Sequence, residues 1–166
     1  SLGAFYARFS DKEALLRCVF HRFAEEAKAT VGVIGQPERW EDESIGTIIE
    51  TLIRFATQIF ESKKKLLRTM MLRAAHDPEI VTLGQLMGEQ ICDGLCALLE
   101  HKVEIVQHPR PFYAIRFLVF TFLSVLESRV LFPIDPLFSN EELISEFKCL
   151  AMAYLGISNP DAKIER

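Results

Sequence analysis

Apolar residues recur at spacings of three and four along nearly the whole chain, which is the period of an amphipathic helix. The strict alternation of apolar and polar residues that marks a half-buried strand is nowhere convincing. Prolines and glycines interrupt the helical pattern and divide the chain into separate segments. The pattern therefore predicts an all-α bundle of about six helices.

The first long helix is predicted to begin after Ser10, whose hydroxyl can accept from the free N–H groups while Glu13 bonds back to the cap residue. A second helix is predicted from about Glu41 to about Lys63, and a third from 65 to 75. The first and second helices each carry an apolar stripe that is expected to be buried, and the opposite side of the first, with Arg17, His21, Glu25 and Lys28, is expected to be solvated.

Asp77 and Pro78 predict the start of a fourth helix, because aspartate is a good N-cap and proline's missing N–H costs nothing at the first helical position. Gly84, Gly88 and Gly94 fall inside this helix, where each costs about 1 kcal/mol relative to alanine. Close approach of a neighbouring helix would offset that cost, and so would space for a bound ligand. The sequence leaves both explanations open.

A fifth helix is predicted from Phe112 to Phe132 and is apolar almost all round. The sixth is predicted to begin after Ser139, with Glu142 at the capping-box spacing, and to end at Gly156. A helix as apolar as the fifth cannot be covered by one partner. The last two helices are therefore predicted to pair with those of a second copy, forming a homodimer through a four-helix bundle.

The two sides of the fifth helix differ in character. The predicted core side consists of Ile115, Leu118, Val119, Phe122, Val125 and Leu126. The other side mixes aromatic, hydroxyl and charged residues, namely Arg116, Phe117, Phe120, Thr121, Ser124, Glu127 and Ser128. This mixed side suits a pocket wall or a subunit interface, and the sequence does not divide the two roles.

The 166 residues are 49% hydrophobic and 25% charged, which is typical of one globular domain and excludes a disordered chain. Nineteen basic and 23 acidic residues give a formal net charge of −4, so any contact with nucleic acid must be local. Four cysteines are too few for a disulfide framework and fit a reducing cytoplasm. The longest uncharged apolar run, Phe117 to Leu126, is well short of the roughly 20 residues of a membrane span, and no signal-peptide pattern is visible. A cytoplasmic protein without membrane contact is expected.

Catalytic motifs such as a Gly-x-Ser-x-Gly elbow, a phosphate-binding glycine loop or His-Glu-x-x-His do not occur, so neither enzyme activity nor a cofactor is expected. Cys92 and Cys96 share a helix face, but no further ligand at a recognisable spacing completes a metal site. They are interpreted as small core residues, and a redox pair is kept as an alternative. The basic run 63–65 favours a solvated helix end over nucleic-acid contact.

The chain opens with SLGAFYARFSDKEALL. This segment resembles the end of the DNA-binding domain of TetR/AcrR-type transcriptional regulators. In that family the recognition helix ends with a small residue, glycine, a spacer, tyrosine, two residues and phenylalanine, and a Ser-x-Lys-Glu-x-Leu-Leu turn follows. The residues in register are Gly3, Tyr6, Phe9, Ser10, Lys12, Glu13, Leu15 and Leu16. Near the other end, Tyr154-Leu155-Gly156 resembles the closing Tyr-Leu-Gly of the family.

The resemblance implies a division of the chain into three parts. Residues 1–9 would be the end of a recognition helix whose preceding helices lie upstream of this sequence, 10–156 a helical effector-binding and dimerisation domain, and 157–166 a polar tail. Ser1 and Ala4 would lie near base edges of operator DNA. Tyr6 and Lys12 would contact phosphates, since a hydroxyl, an ammonium and a helix N-terminus are suitable phosphate partners.

The function implied is that of a ligand-responsive regulator, a repressor that binds operator DNA as a dimer and is released by a small hydrophobic effector. Thirteen phenylalanines and four methionines exceed the needs of a minimal core and favour an adaptable apolar pocket. The residues expected to line it are Phe55, Ile59, Met70, Met71, Met87, Ile91, Leu95, Phe117, Phe120, Thr121 and Ser124. A neutral ligand is favoured over a strongly anionic one. The alternative is a helical protein–protein interaction module that exposes an apolar groove and binds no small molecule.

Overall fold

The computed structural model describes residues 9, 11–132 and 138–157. Within these ranges the chain forms α-helices and two short 3-10 turns and no strand, which confirms the all-α prediction. The six helices are α1 (Lys12–Ile34), α2 (Ile45–Ser62), α3 (Lys64–Ala74), α4 (Pro78–Glu100), α5 (Pro111–Leu131) and α6 (Asn140–Tyr154). The 3-10 turns are Pro37–Trp40 and Val103–Ile105. No helix in these ranges combines the length and hydropathy that crossing a bilayer requires.

The first helix is capped one residue later than predicted. Asp11 is its N-cap, because the carboxylate accepts a hydrogen bond from the Ala14 N–H at 2.8 Å. Ser10, the predicted cap, lies outside the described residues. Glu13 accepts from Arg73 Nη1 of α3 at 2.9 Å, so its carboxylate ties α1 to a neighbouring helix.

The second helix begins at Ile45, four residues after the predicted start at Glu41. Ser44 caps it by accepting from the Thr47 N–H at 3.1 Å. The preceding residues form a separate 3-10 turn, held by Trp40, whose indole Nε1–H donates to the Ile34 carbonyl at 2.7 Å. Residues 41–44 are all polar, so the apolar period did not fix where this helix begins, and the prediction placed its start too early.

The starts of α4 and α6 confirm the sequence prediction. Asp77 accepts from the Glu79 N–H at 3.1 Å, with Pro78 in the first helical position. Ser139 and Glu142 form the reciprocal capping box, with distances of 3.2 and 2.7 Å.

The main core lies between α2, α4, α5 and α6. The predicted core side of α5 is buried there, with only Val125 half-buried. Phe122 packs against Phe147 of α6 with ring centroids 4.6 Å apart. This packing fixes the rotation of α5 and turns its mixed side away from α6's buried residues.

At the other end of the bundle, α1 lies beside α4 and runs in the same direction, with Phe20 fully buried against Ile80 and Met70. The side of α1 expected to be solvated is mostly exposed, and two of its residues also contact the start of α4. Arg17 Nε donates to Asp77 Oδ2 at 3.0 Å, and His21 Nε2 lies 3.2 Å from Glu79 Oε1. Charged groups therefore join the first turns of both helices.

Candidate functional site

An apolar cavity of about 340 Å³, here called the inner cavity, lies between α1, α2, α3, α4 and α5. Its size falls within the range of small-molecule pockets, roughly 300–1,000 Å³. The predicted ligand-binding residues on its wall are Ile59, Met70, Met71, Met87 and Ile91. Three flexible thioethers on one wall allow the cavity to adapt to irregular apolar shapes.

A smaller side cavity of about 150 Å³ adjoins the inner cavity and contains the predicted residues Phe55 and Leu95. The two cavities share a wall made of Phe23, Ala27, Ile59, Phe60, Ile91 and Leu123. Lys63 and Glu26 also line the side cavity, and Glu26 accepts from Arg22 Nε at 2.9 Å.

An outer groove of about 630 Å³ runs between α4 and α5 and contains the predicted residues Phe120 and Ser124. Five residues line both this groove and the inner cavity, namely Gly84, Gln85, Gly88, Leu123 and Glu127. The groove therefore meets the inner cavity along one strip of α4 and α5.

Two of the predicted ligand-binding residues lie away from these spaces. Phe117 is 47% exposed, and its ring packs against Tyr154 of α6 at 5.9 Å. Thr121 donates its hydroxyl to the Phe117 carbonyl at 2.7 Å, so its hydroxyl is already hydrogen-bonded within α5. Neither residue lines any of the three spaces described above.

Of the predicted DNA contacts, Ser1, Ala4 and Tyr6 lie outside the described residues. Lys12 is exposed in the first turn of α1, so its ammonium is free to reach a polyanion. A single lysine beside a helix N-terminus is compatible with a phosphate contact.

The three glycines of α4 have two different environments. A side-chain carbon added at Gly84 or Gly88 would meet no atom within 4 Å, so these positions border open space. One added at Gly94 would collide with the Val31 side chain of α1. Close helix approach thus accounts for Gly94, whereas Gly84 and Gly88 widen the strip where the groove meets the inner cavity.

We expect Gly84→Ala to raise the free energy of unfolding by up to about 1 kcal/mol, because alanine gains helix propensity without a clash. Gly94→Ala should lower it, since the stiff β-branched Val31 would have to move. Urea unfolding of the two variants measures both changes. Equal effects at the two positions would contradict this division of the glycines.

Glu127 is a candidate site residue that the sequence did not single out. It is exposed at the rim shared by the groove and the inner cavity, and partial desolvation there raises the pKa of its carboxyl group. The described part of the chain offers it neither an ion pair nor a hydrogen bond. In the same groove, Arg116 Nη2 donates to Asp93 Oδ1 at 2.6 Å, so that cation is already paired. The feature of the sequence that could have pointed to Glu127 is its position as the acidic residue on a helix side of aromatic and hydroxyl residues.

The two cysteines of α4 have their sulfurs 4.0 Å apart. Burial, together with the neighbouring Cys92, raises the pKa of Cys96 to about 12. A thiol with so high a pKa is a poor nucleophile, which favours the packing role over redox chemistry. Among the described residues, no cluster of three or more His, Cys, Asp or Glu side chains is arranged to hold a metal ion.

An exposed aromatic face covers the outer side of α5 and the end of α6. We define it by Tyr113, Phe117, Phe120, Leu150 and Tyr154. Phe120 is 65% exposed, and Tyr113 and Leu150 are each more than half exposed. The Arg110 guanidinium lies 4.5 Å from the centroid of the Tyr113 ring. Adjacent large apolar side chains at the surface are typical of a protein contact.

Comparison of the chain with protein-family models, with curated proteins and with solved structures gives no match. The role of the cavities and of the aromatic face is therefore inferred from this chain's own residues.

Proposed function

We propose that the chain is the effector-binding and dimerisation domain of a TetR-like transcriptional regulator, a repressor released from operator DNA by a small hydrophobic molecule. The observation that carries the proposal is the inner cavity, an apolar space inside an all-helical bundle with Met70, Met71 and Met87 on its wall. The similarity of the first sixteen residues to the end of a TetR-type DNA-binding domain supports the same function.

The contacts of α1 provide a route from the cavity to DNA. Phe23 and Ala27 of α1 line the inner cavity, and α1 begins directly after the segment that resembles the DNA-binding domain. Its first turns are ion-paired to α3 and α4, which also line the cavity. A ligand that favours a different separation of these helices would shift α1 and, with it, the spacing of the two DNA-binding domains.

The proposed dimer uses the aromatic face. A second copy of this face would cover Phe120 and Leu150 and complete a four-helix bundle from α5 and α6 of both chains. A stable, largely apolar interface of this kind would bury on the order of 2,000 Å². Two copies related by a two-fold axis would present two DNA-binding domains to a palindromic operator.

The same aromatic face favours the alternative, an interaction module for another protein. The two functions differ in the cavity, since an interaction module has no need of a ligand. We expect the uncharged fluorescent probe N-phenyl-1-naphthylamine to bind this chain with micromolar affinity. Light scattering should show a dimer at micromolar concentration. If the chain is a monomer and does not bind the probe, these two results would favour the interaction module and contradict the proposal.

Operator recognition is tested with the full-length protein by selection from random DNA duplexes, which should enrich a palindromic site. Lys12→Ala should weaken binding to all sequences alike and reduce the salt dependence by about one counterion per subunit. Tyr6→Phe should also weaken binding without changing base preference. If either substitution altered which base is preferred, the assigned phosphate contacts would be wrong. Failure to enrich any site would contradict the regulatory function.

A further inference from the structure

The strip where the outer groove meets the inner cavity joins an apolar space to a charged one. Glycines at 84 and 88 leave the space between α4 and α5 open, because no atom lies near the position that a side chain would occupy. On the inner side the wall is made of methionine, isoleucine and leucine side chains. On the outer side Glu89, Asp93 and Glu127 line the groove. A molecule lying across this strip would have an apolar part inside and a polar part outside.

The charged side chains of the outer groove that have no ion-pair partner are negative. Asp93 is neutralised by Arg116 at 2.6 Å, and Arg116 is the one basic residue on the groove wall. Neither Glu89 nor Glu127 has an ion pair within the described ranges. Gln85, which lines both spaces, offers a neutral amide beside them. Two carboxylates without a cation therefore border the opening of the inner cavity.

We propose that the effector is an amphipathic monocation, whose apolar part fills the inner cavity and whose cationic group lies in the outer groove beside Glu127. This inference rests on the proposed function and names the chemical class of its ligand. A cation beside Glu127 would be drawn to a carboxylate that the protein itself leaves unpaired. Partial desolvation raises the pKa of this carboxyl group, and a bound cation would favour its charged form.

An anionic amphiphile would need a cation on the wall of one of the two cavities. Lys63 is the basic residue on the wall of the side cavity, but it is exposed and caps the C-terminus of α2, where lysine interacts favourably with the helix dipole. Glu26 lines the same cavity and adds a negative charge there. The charges bordering the two cavities therefore favour a cation over an anion.

Three ligands that share a ten-carbon chain test the proposal, namely decyltrimethylammonium, decanol and decanoate. Each is titrated against N-phenyl-1-naphthylamine bound to this chain, below its micelle concentration. We expect the cation to displace the probe at a concentration about three- to fivefold lower than decanol does, with decanoate weakest. Glu127→Gln keeps the side-chain shape and breaks no ion pair, and it should weaken the cation about three- to fivefold while leaving decanol unchanged.

Glu104→Gln is the matched control, since Glu104 lies in the 3-10 turn after α4 and lines none of the three spaces. It removes the same net charge and should leave all three affinities unchanged. Equal affinity for decanol and the cation, or tightest binding of decanoate, would overturn the cationic class and leave the proposed function standing. Loss of cation and decanol binding together in Glu127→Gln would overturn the assigned charge contact. If no ligand and no probe binds, the proposed function itself fails.

Discussion

Met87→Trp should abolish binding of apolar ligands, weakening the affinity for N-phenyl-1-naphthylamine by about 100-fold or more. Met87 lines the inner cavity on the α4 side, so the larger indole would occupy the space that the ligand needs. In the full-length regulator this variant should still bind operator DNA and no longer respond to effector. Fluorescence titration and operator binding with and without effector measure the two properties.

Leu86→Trp provides the matched control, because Leu86 is the preceding residue of the same helix and is 51% exposed. It introduces the same side chain without narrowing the inner cavity, and its affinity for the probe should equal that of the unmodified chain. Undiminished binding in Met87→Trp would mean that the ligand binds elsewhere.

Phe122→Ala and Phe120→Ala, two residues apart on α5, should have opposite consequences. Phe122 is 6% exposed and packs on Phe147, so removing its ring should lower the free energy of unfolding by about 3–5 kcal/mol. Phe120 is 65% exposed, and its removal should change the stability of a single chain by less than about 0.5 kcal/mol. If the aromatic face forms the dimer, Phe120→Ala should instead raise the dimer dissociation constant.

Urea unfolding at several protein concentrations separates these effects, because the stability of a dimer depends on its concentration. Light scattering reports the dissociation directly. A dimer that is equally strong with alanine at 120 would exclude the aromatic face as the interface. Equal losses of stability in the two variants would mean that α5 does not bury Phe122 and expose Phe120 as the structure has them.

Local capping chemistry made several helix starts predictable. Asp77 with Pro78, and Ser139 with Glu142, carry their signals within a few residues, and the structure has both caps at the predicted positions. The start of α2 also carries a local signal, since Ser44 caps it, yet the helix was predicted from Glu41. The 3-10 turn before it is held by the Trp40 indole on the Ile34 carbonyl, and apolar periodicity does not register such a turn.

The cavities were only partly predictable for a related reason. Met70 and Met87 lie on helices with a polar side, so their inward direction follows from the period of the helix. On α5 the apolar character extends almost all round, so the sequence could not decide which residues α4 covers and which α6 approaches. For this reason the sequence did not reveal that Phe117 lies against Tyr154 of α6. It also did not reveal that Glu127 borders the inner cavity.

The close contact of Val31 with Gly94 bears on how α1 would move in the proposed response to a ligand. Because Val31 packs directly on the backbone of α4 there, α1 would turn about residue 31 more readily than it would shift as a whole. The lever arm from there to Lys12 is roughly 28 Å, against roughly 12 Å to Phe23 on the cavity wall. A ligand that moves Phe23 by about 1 Å would thus move the start of α1 by more than about 2 Å. Such a rotation would have to shift Phe20, which is fully buried against Ile80 and Met70, as well as the ion pairs of Arg17, and the displacement would grow toward the proposed DNA-binding end.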